Sequence, residues 1–96
     1  MSTRVILAKP INRQRLPKLY REDVFRFLYT HGDVEILGKK RKTTGSHTSV
    51  RFTPYGGRPC VLTVAGHDGE HIAIGTLRKI IKDSGIPEEK WRNFRY

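Results

Sequence analysis

Near the middle of this sequence, two kinds of side chain stand close enough to act together on a phosphodiester. The run His47-Thr48-Ser49-Val50-Arg51-Phe52-Thr53 follows Gly45 and Ser46, and the basic stretch Lys39-Lys40-Arg41-Lys42 stands just before them. Breaking a ribose phosphodiester requires a proton taken from the 2′-hydroxyl, charge stabilised on the phosphate and a proton given to the leaving oxygen. Histidine is the side chain whose ordinary pKa suits such transfers near neutrality, which makes His47 the candidate general base. Arg51, with Lys40 or Lys42, would hold the phosphate through charge-assisted hydrogen bonds. By spacing alone, His47 reads equally well as an exposed strand histidine with no task, and the cations as a solvated loop. Four consecutive cations nevertheless repel one another and gain from a neighbouring phosphate backbone.

The elements around these residues decide whether they can meet. A strict two-residue period over 47–53 puts Thr48, Val50 and Phe52 on one strand face and His47, Ser49 and Arg51 on the other. Before it, Tyr20, Val24, Phe27 and Leu28 recur with helical spacing, and Gly32 is placed to end that helix. Val34 and Ile36 alternate with Asp33 and Glu35 in a short strand, and Gly38 to Lys42 reads as a basic connection. The turn-rich 54–59 segment joins the His47 strand to a strand over 61–65, as in a hairpin. Thr76 is placed to cap a second helix, whose Leu77, Ile80 and Ile81 share a face and which Gly85 would stop. Trp91, Phe94 and Tyr96 follow as a short aromatic tail, too apolar to leave in water, which either folds back or docks a partner. The expected fold is α+β, with two helices covering one face of a three-stranded antiparallel sheet and the other face open.

Composition agrees with an anionic partner. Lys and Arg number 19 against 9 Asp and Glu, a formal charge of +10 on 96 residues. Residues 1–58 hold 13 of the basic and 4 of the acidic side chains, so the positive field belongs to the first half. Nucleic acid suits such a field best, although a membrane or an acidic protein could also attract it. No helix concentrates the cations as a major-groove reader would, which disfavours a DNA-binding protein. So short a chain has room for one core, read here as a single domain over 18–96 preceded by a basic arm over 1–17. Val5 to Ala8 is too short an apolar run for a signal-peptide core or a membrane span, and a cytoplasmic location is expected. Cys60, the lone cysteine, reads as a small apolar strand residue.

Gly45-Ser46-His47 followed by a strand, together with Gly75-Thr76-Leu77-Arg78-Lys79-Ile80-Ile81-Lys82-Asp83-Ser84-Gly85-Ile86, resembles the HicA (YcfA-like) toxins. These are small messenger-RNA-cleaving ribonucleases of bacterial toxin-antitoxin pairs. The resemblance runs from about Tyr20 to Ile86. It implies a fold like that of double-stranded-RNA-binding domains, His47 as the catalytic residue, no cofactor or metal, and a HicB-type antitoxin as partner. RNA contacts are expected at Lys40, Arg41, Lys42, Ser46 and Arg51, with His67 as a second acid or substrate ligand. Val64-Ala65 stands where many members carry Val-Pro, and Thr44 where many carry a basic residue. Two other readings stay open: a module of the same fold that holds RNA without cutting it, and a metal site built from His67, Asp68, Glu70 and His71. His31 reads as a helix-terminal residue, while Tyr29 and Tyr55 could stack on bases or serve as turn and core groups.

Overall fold

The computed structural model describes residues 16–42, 45–66 and 69–96. The basic arm as far as Arg15, and His67 with Asp68, lie outside the described residues. The element order is α1 (Arg21–His31), β1 (Gly32–Lys42), β2 (Gly45–Pro54), β3 (Cys60–Gly66), α2 (Ile74–Ser84) and α3 (Glu88–Asn93). The strands form one antiparallel sheet in the order β1-β2-β3. This is the expected α+β layout, with one short helix more than the sequence pattern suggested.

Helix α1 buries Val24, Phe27 and Leu28, three positions of the face that its spacing marks out. Tyr20 is its N-cap, and the Tyr20 N–H donates to the Asp23 carboxylate at 2.9 Å. Glu22 and Asp23 lie in the first turn, where the helix dipole favours negative charge. Val50 and Phe52 of β2 and Leu62 and Val64 of β3 face the same core, each at most 2% exposed. Thr48 is buried beside them, so the alternation read from the sequence is the alternation found.

Two boundaries differ from expectation. Gly38 to Lys42 is strand rather than connection, because β1 runs on in register with residues 45–49 of β2. Thr76 lies inside α2, whose N-cap is Ala73. Buried Ile72 anchors the approach, since its N–H donates to the Leu19 carbonyl at 2.8 Å. The first helical bond, from the Leu77 N–H to the Ala73 carbonyl at 2.9 Å, is therefore made before Thr76 can act as a cap. Gly85 ends α2 in the left-handed region (φ 76°), as its position suggested.

Gly32 ends α1 for a different reason. Its backbone is extended, so no positive φ demands glycine, but a Cβ there would run into the Thr53 carbonyl oxygen and the Pro54 Cα. Both obstacles are backbone atoms that cannot swing aside. Gly32→Ala is expected to cost about 1–3 kcal/mol, the range for forcing an extra methyl into a packed site. Urea unfolding measures it, and a loss below about 0.5 kcal/mol would mean that β2 yields there.

Candidate functional site

The helices cover one face of the sheet, leaving the other to be read as rows of register partners. His47 pairs with Lys40 on β1 and with Ala65 on β3. Ser49 pairs with Gly38 and Thr63, and Arg51 with Glu35 and Val61. Directly opposed residues share a face and stand about 4.5–5.5 Å apart. Successive rows are two residues apart along β2, or roughly 6.6 Å, so His47 and Arg51 are separated by about 13 Å.

A bulge decides which lysine meets His47. The β1–β2 register shifts between Ile36 and Gly38, leaving Leu37 as the extra residue. Without it the pairing would bring Lys39 opposite His47; with it Lys40 takes that place. Lys42 pairs with Gly45, and Arg41 with Ser46, so all three cations named from the sequence lie at the end of the sheet where His47 stands. Ser46 also pairs with Gly66, the last residue of β3. His47 itself is half-buried, and the small Ala65 on one side of its row leaves room above the sheet.

Arg51 is on the expected face but is already engaged: its Nη1 donates to the Glu35 carboxylate at 2.7 Å. Glu35 is a site neighbour that sequence reading missed. Its outward position in Val34-Glu35-Ile36 was visible, but its row partner depends on how β1 pairs with β2.

The remaining candidates divide by position. The His31 Nδ1 donates to the Phe27 carbonyl at 2.8 Å while its ring stacks on Phe27, the behaviour of a helix-terminal packing residue. Tyr29 and Tyr55 are exposed, and Tyr55 occupies the turn at the opposite end of β2 from His47. At that far end a groove of about 630 Å³ passes Tyr55, Arg58, Cys60 and Asp83 but does not reach His47. The Cys60 thiol donates to the Phe52 carbonyl at 3.4 Å. Burial first, and Asp83 second, push its pKa up, which makes it a poor nucleophile. His71 rests against Tyr20, ring centroids 4.5 Å apart. Among the described residues no helix is long and apolar enough to cross a membrane.

Neither a curated protein nor a solved structure matched the chain. A family model did: that of the HicA toxin of bacterial toxin-antitoxin systems, over residues 23–86, a span that takes in α1 from Asp23 onward, the whole sheet and α2 and stops short of α3. With two thirds of its length matched, and with the Gly45-Ser46-His47 motif leading into the central strand of the sheet, the chain belongs to the HicA toxin family.

Proposed function

We propose that this toxin is a metal-independent endoribonuclease that cuts messenger RNA in the cytoplasm, with His47 as the general acid/base. The observation that carries the reading is the row Lys40–His47–Ala65 on the open face, which pairs a proton-transfer group with a cation at one step of the sheet. His47 takes the proton of the 2′-hydroxyl, the hydroxyl oxygen attacks the adjacent phosphorus, and the 5′-oxygen leaves with a proton. Lys40 and Lys42, which share the His47 face in the strand register, bind the phosphate and offset its developing charge. Arg41 and Ser46, one residue out of phase, form a row of the other face at the same end of the sheet and add RNA contacts from its edge. His67, which lies outside the described residues, is the candidate second acid. A HicB-type antitoxin inhibits the toxin by covering this face, and acidic surface on it would complement the basic half of the chain.

The reading is tested on a labelled single-stranded RNA in EDTA. Cleavage to a 2′,3′-cyclic phosphate and a 5′-hydroxyl is the expected result. A 3′-hydroxyl with a 5′-phosphate would sink the mechanism, because the 2′-oxygen would not have attacked. Tight binding without any cleavage would instead make the protein a non-catalytic RNA-binding module.

A further inference from the structure

The Glu35–Arg51 pair is poorly suited to the phosphate that its guanidinium seemed to await. Both side chains are exposed, Arg51 at 48% and Glu35 at 63%, and the Nη1–Oε1 contact is 2.7 Å. Their charges cancel, and an approaching phosphate would meet a carboxylate as soon as it met the guanidinium. Two rows of β2, about 13 Å along the strand, also separate Arg51 from the His47 row. What the pair offers outward is a row of hydrogen-bonding atoms of both kinds: the second carboxylate oxygen as acceptor, and the remaining guanidinium N–H groups as donors. Such a mixed edge suits a neutral partner that also carries both kinds.

Between the pair and His47 lies the row Gly38–Ser49–Thr63. These are small residues, and a Cβ built on Gly38 would meet nothing within 4 Å. The row is a shallow trough, bounded on one side by His47 and on the other by the ion pair. A planar group lying in it would point an edge at Glu35 and Arg51 while staying within reach of the row where the chain is cut.

We infer that the Gly38–Ser49–Thr63 trough, with Glu35 and Arg51 at its rim, is a base-reading subsite for guanine in single-stranded RNA. Guanine matches the rim best, because its Watson–Crick edge has two adjacent donors, N1–H and the N2 amine, for the Glu35 carboxylate. Beside them O6 and N7 are two acceptors for the fork of Arg51, the contact that arginine makes most often with this base. Cytosine, adenine and uracil each lack the adjacent pair of donors. Unstacked bases of single-stranded RNA are read on these same edges. The inference rests on the ribonuclease reading only for its consequence, which is that the subsite sets where the strand is cut. The binding itself is independent of it.

The experiment uses the full chain carrying His47→Ala, so that no RNA is cut, and three oligouridines: unmodified, with one central guanosine, and with inosine there instead. Inosine lacks the N2 amine. The guanosine oligomer is expected to bind about ten-fold more tightly than the other two, the worth of one hydrogen bond to a charged group. Adding Glu35→Gln, an exposed substitution, removes that advantage. Equal binding of the three oligomers, no binding at all, or an advantage that survives Glu35→Gln overturns the inference. In parallel, the parent protein is expected to cut the guanosine oligomer at one fixed offset from the guanosine. If it cuts nothing while the guanosine advantage stands, the ribonuclease reading falls and the subsite remains.

Discussion

Replacing His47 by alanine is expected to slow cleavage of a single-stranded RNA by about 10²–10⁴-fold, the usual contribution of a positioned acid or base. The fold should hardly notice, because His47 projects from the face opposite Thr48, Val50 and Phe52, which make the core contacts of β2. Substitutions away from packed features generally shift stability by within about 0.5 kcal/mol. RNA binding should also persist, since the cations at 40–42 remain. Side-by-side measurement of cleavage rate, RNA affinity and thermal unfolding separates the possibilities. A variant that folds, binds and still cuts at more than about a tenth of the parent rate would remove His47 from the chemistry. An Arg51→Gln variant is the useful contrast: at a residue two rows of β2, about 13 Å along the strand, from His47, it should change which RNA is chosen more than how fast the bond breaks.

That contrast depends on the register, which is where sequence reading reached its limit. The alternation over 47–53 was legible because one strand with one buried face writes its own pattern. It correctly placed His47 and Arg51 on the open side. The basic stretch was not legible as strand: glycine and four cations look like a loop, and what makes them a strand is their pairing with the long partner β2. The bulge at Leu37 left even less trace, yet it is what sets Lys40 rather than Lys39 opposite His47. Thr76 misled for a related reason. A good capping residue was present, but the backbone bond between Ile72 and Leu19 had already fixed where α2 begins. Local chemistry predicted faces and stops well; pairing between distant segments decided what stood beside what.

The aromatic tail shows the same limit and leads to the largest expected stability effect. Sequence left it either folded back or free to dock a partner; it folds back. Pro87 and six residues of α3 carry Trp91 into the core, where it is fully buried and stacks on Phe27 with ring centroids 3.7 Å apart. Phe94 meets Phe27 edge-on at 5.2 Å, and the Tyr96 hydroxyl donates to the Trp91 carbonyl at 2.7 Å. Burial, with Asp23 adding to it, pushes the Tyr96 phenol well above its ordinary range, so this bond keeps its proton throughout the neutral range. Arg26 of α1 closes the arrangement by donating to the Tyr96 carbonyl at 3.2 Å. None of these tail residues falls within the family match over 23–86, yet Phe27, at the centre of α1, has the indole as a packing face.

Trp91→Ala is therefore expected to cost about 3–5 kcal/mol. For a domain whose whole stability is on the order of 5–15 kcal/mol, that brings unfolding close to working temperature. Trp91→Phe should cost much less, for a reason particular to this site. The indole Nε1 is buried and has no hydrogen-bond partner among the described residues. Removing an unpaired buried donor recovers roughly 1–3 kcal/mol, which offsets much of the lost ring area. Denaturant unfolding of the two variants decides the matter. If both lose the same large amount, the indole nitrogen has a partner and contributes to stability; if neither loses more than about 1 kcal/mol, the tail is a passenger and α1 holds Phe27 in place without it.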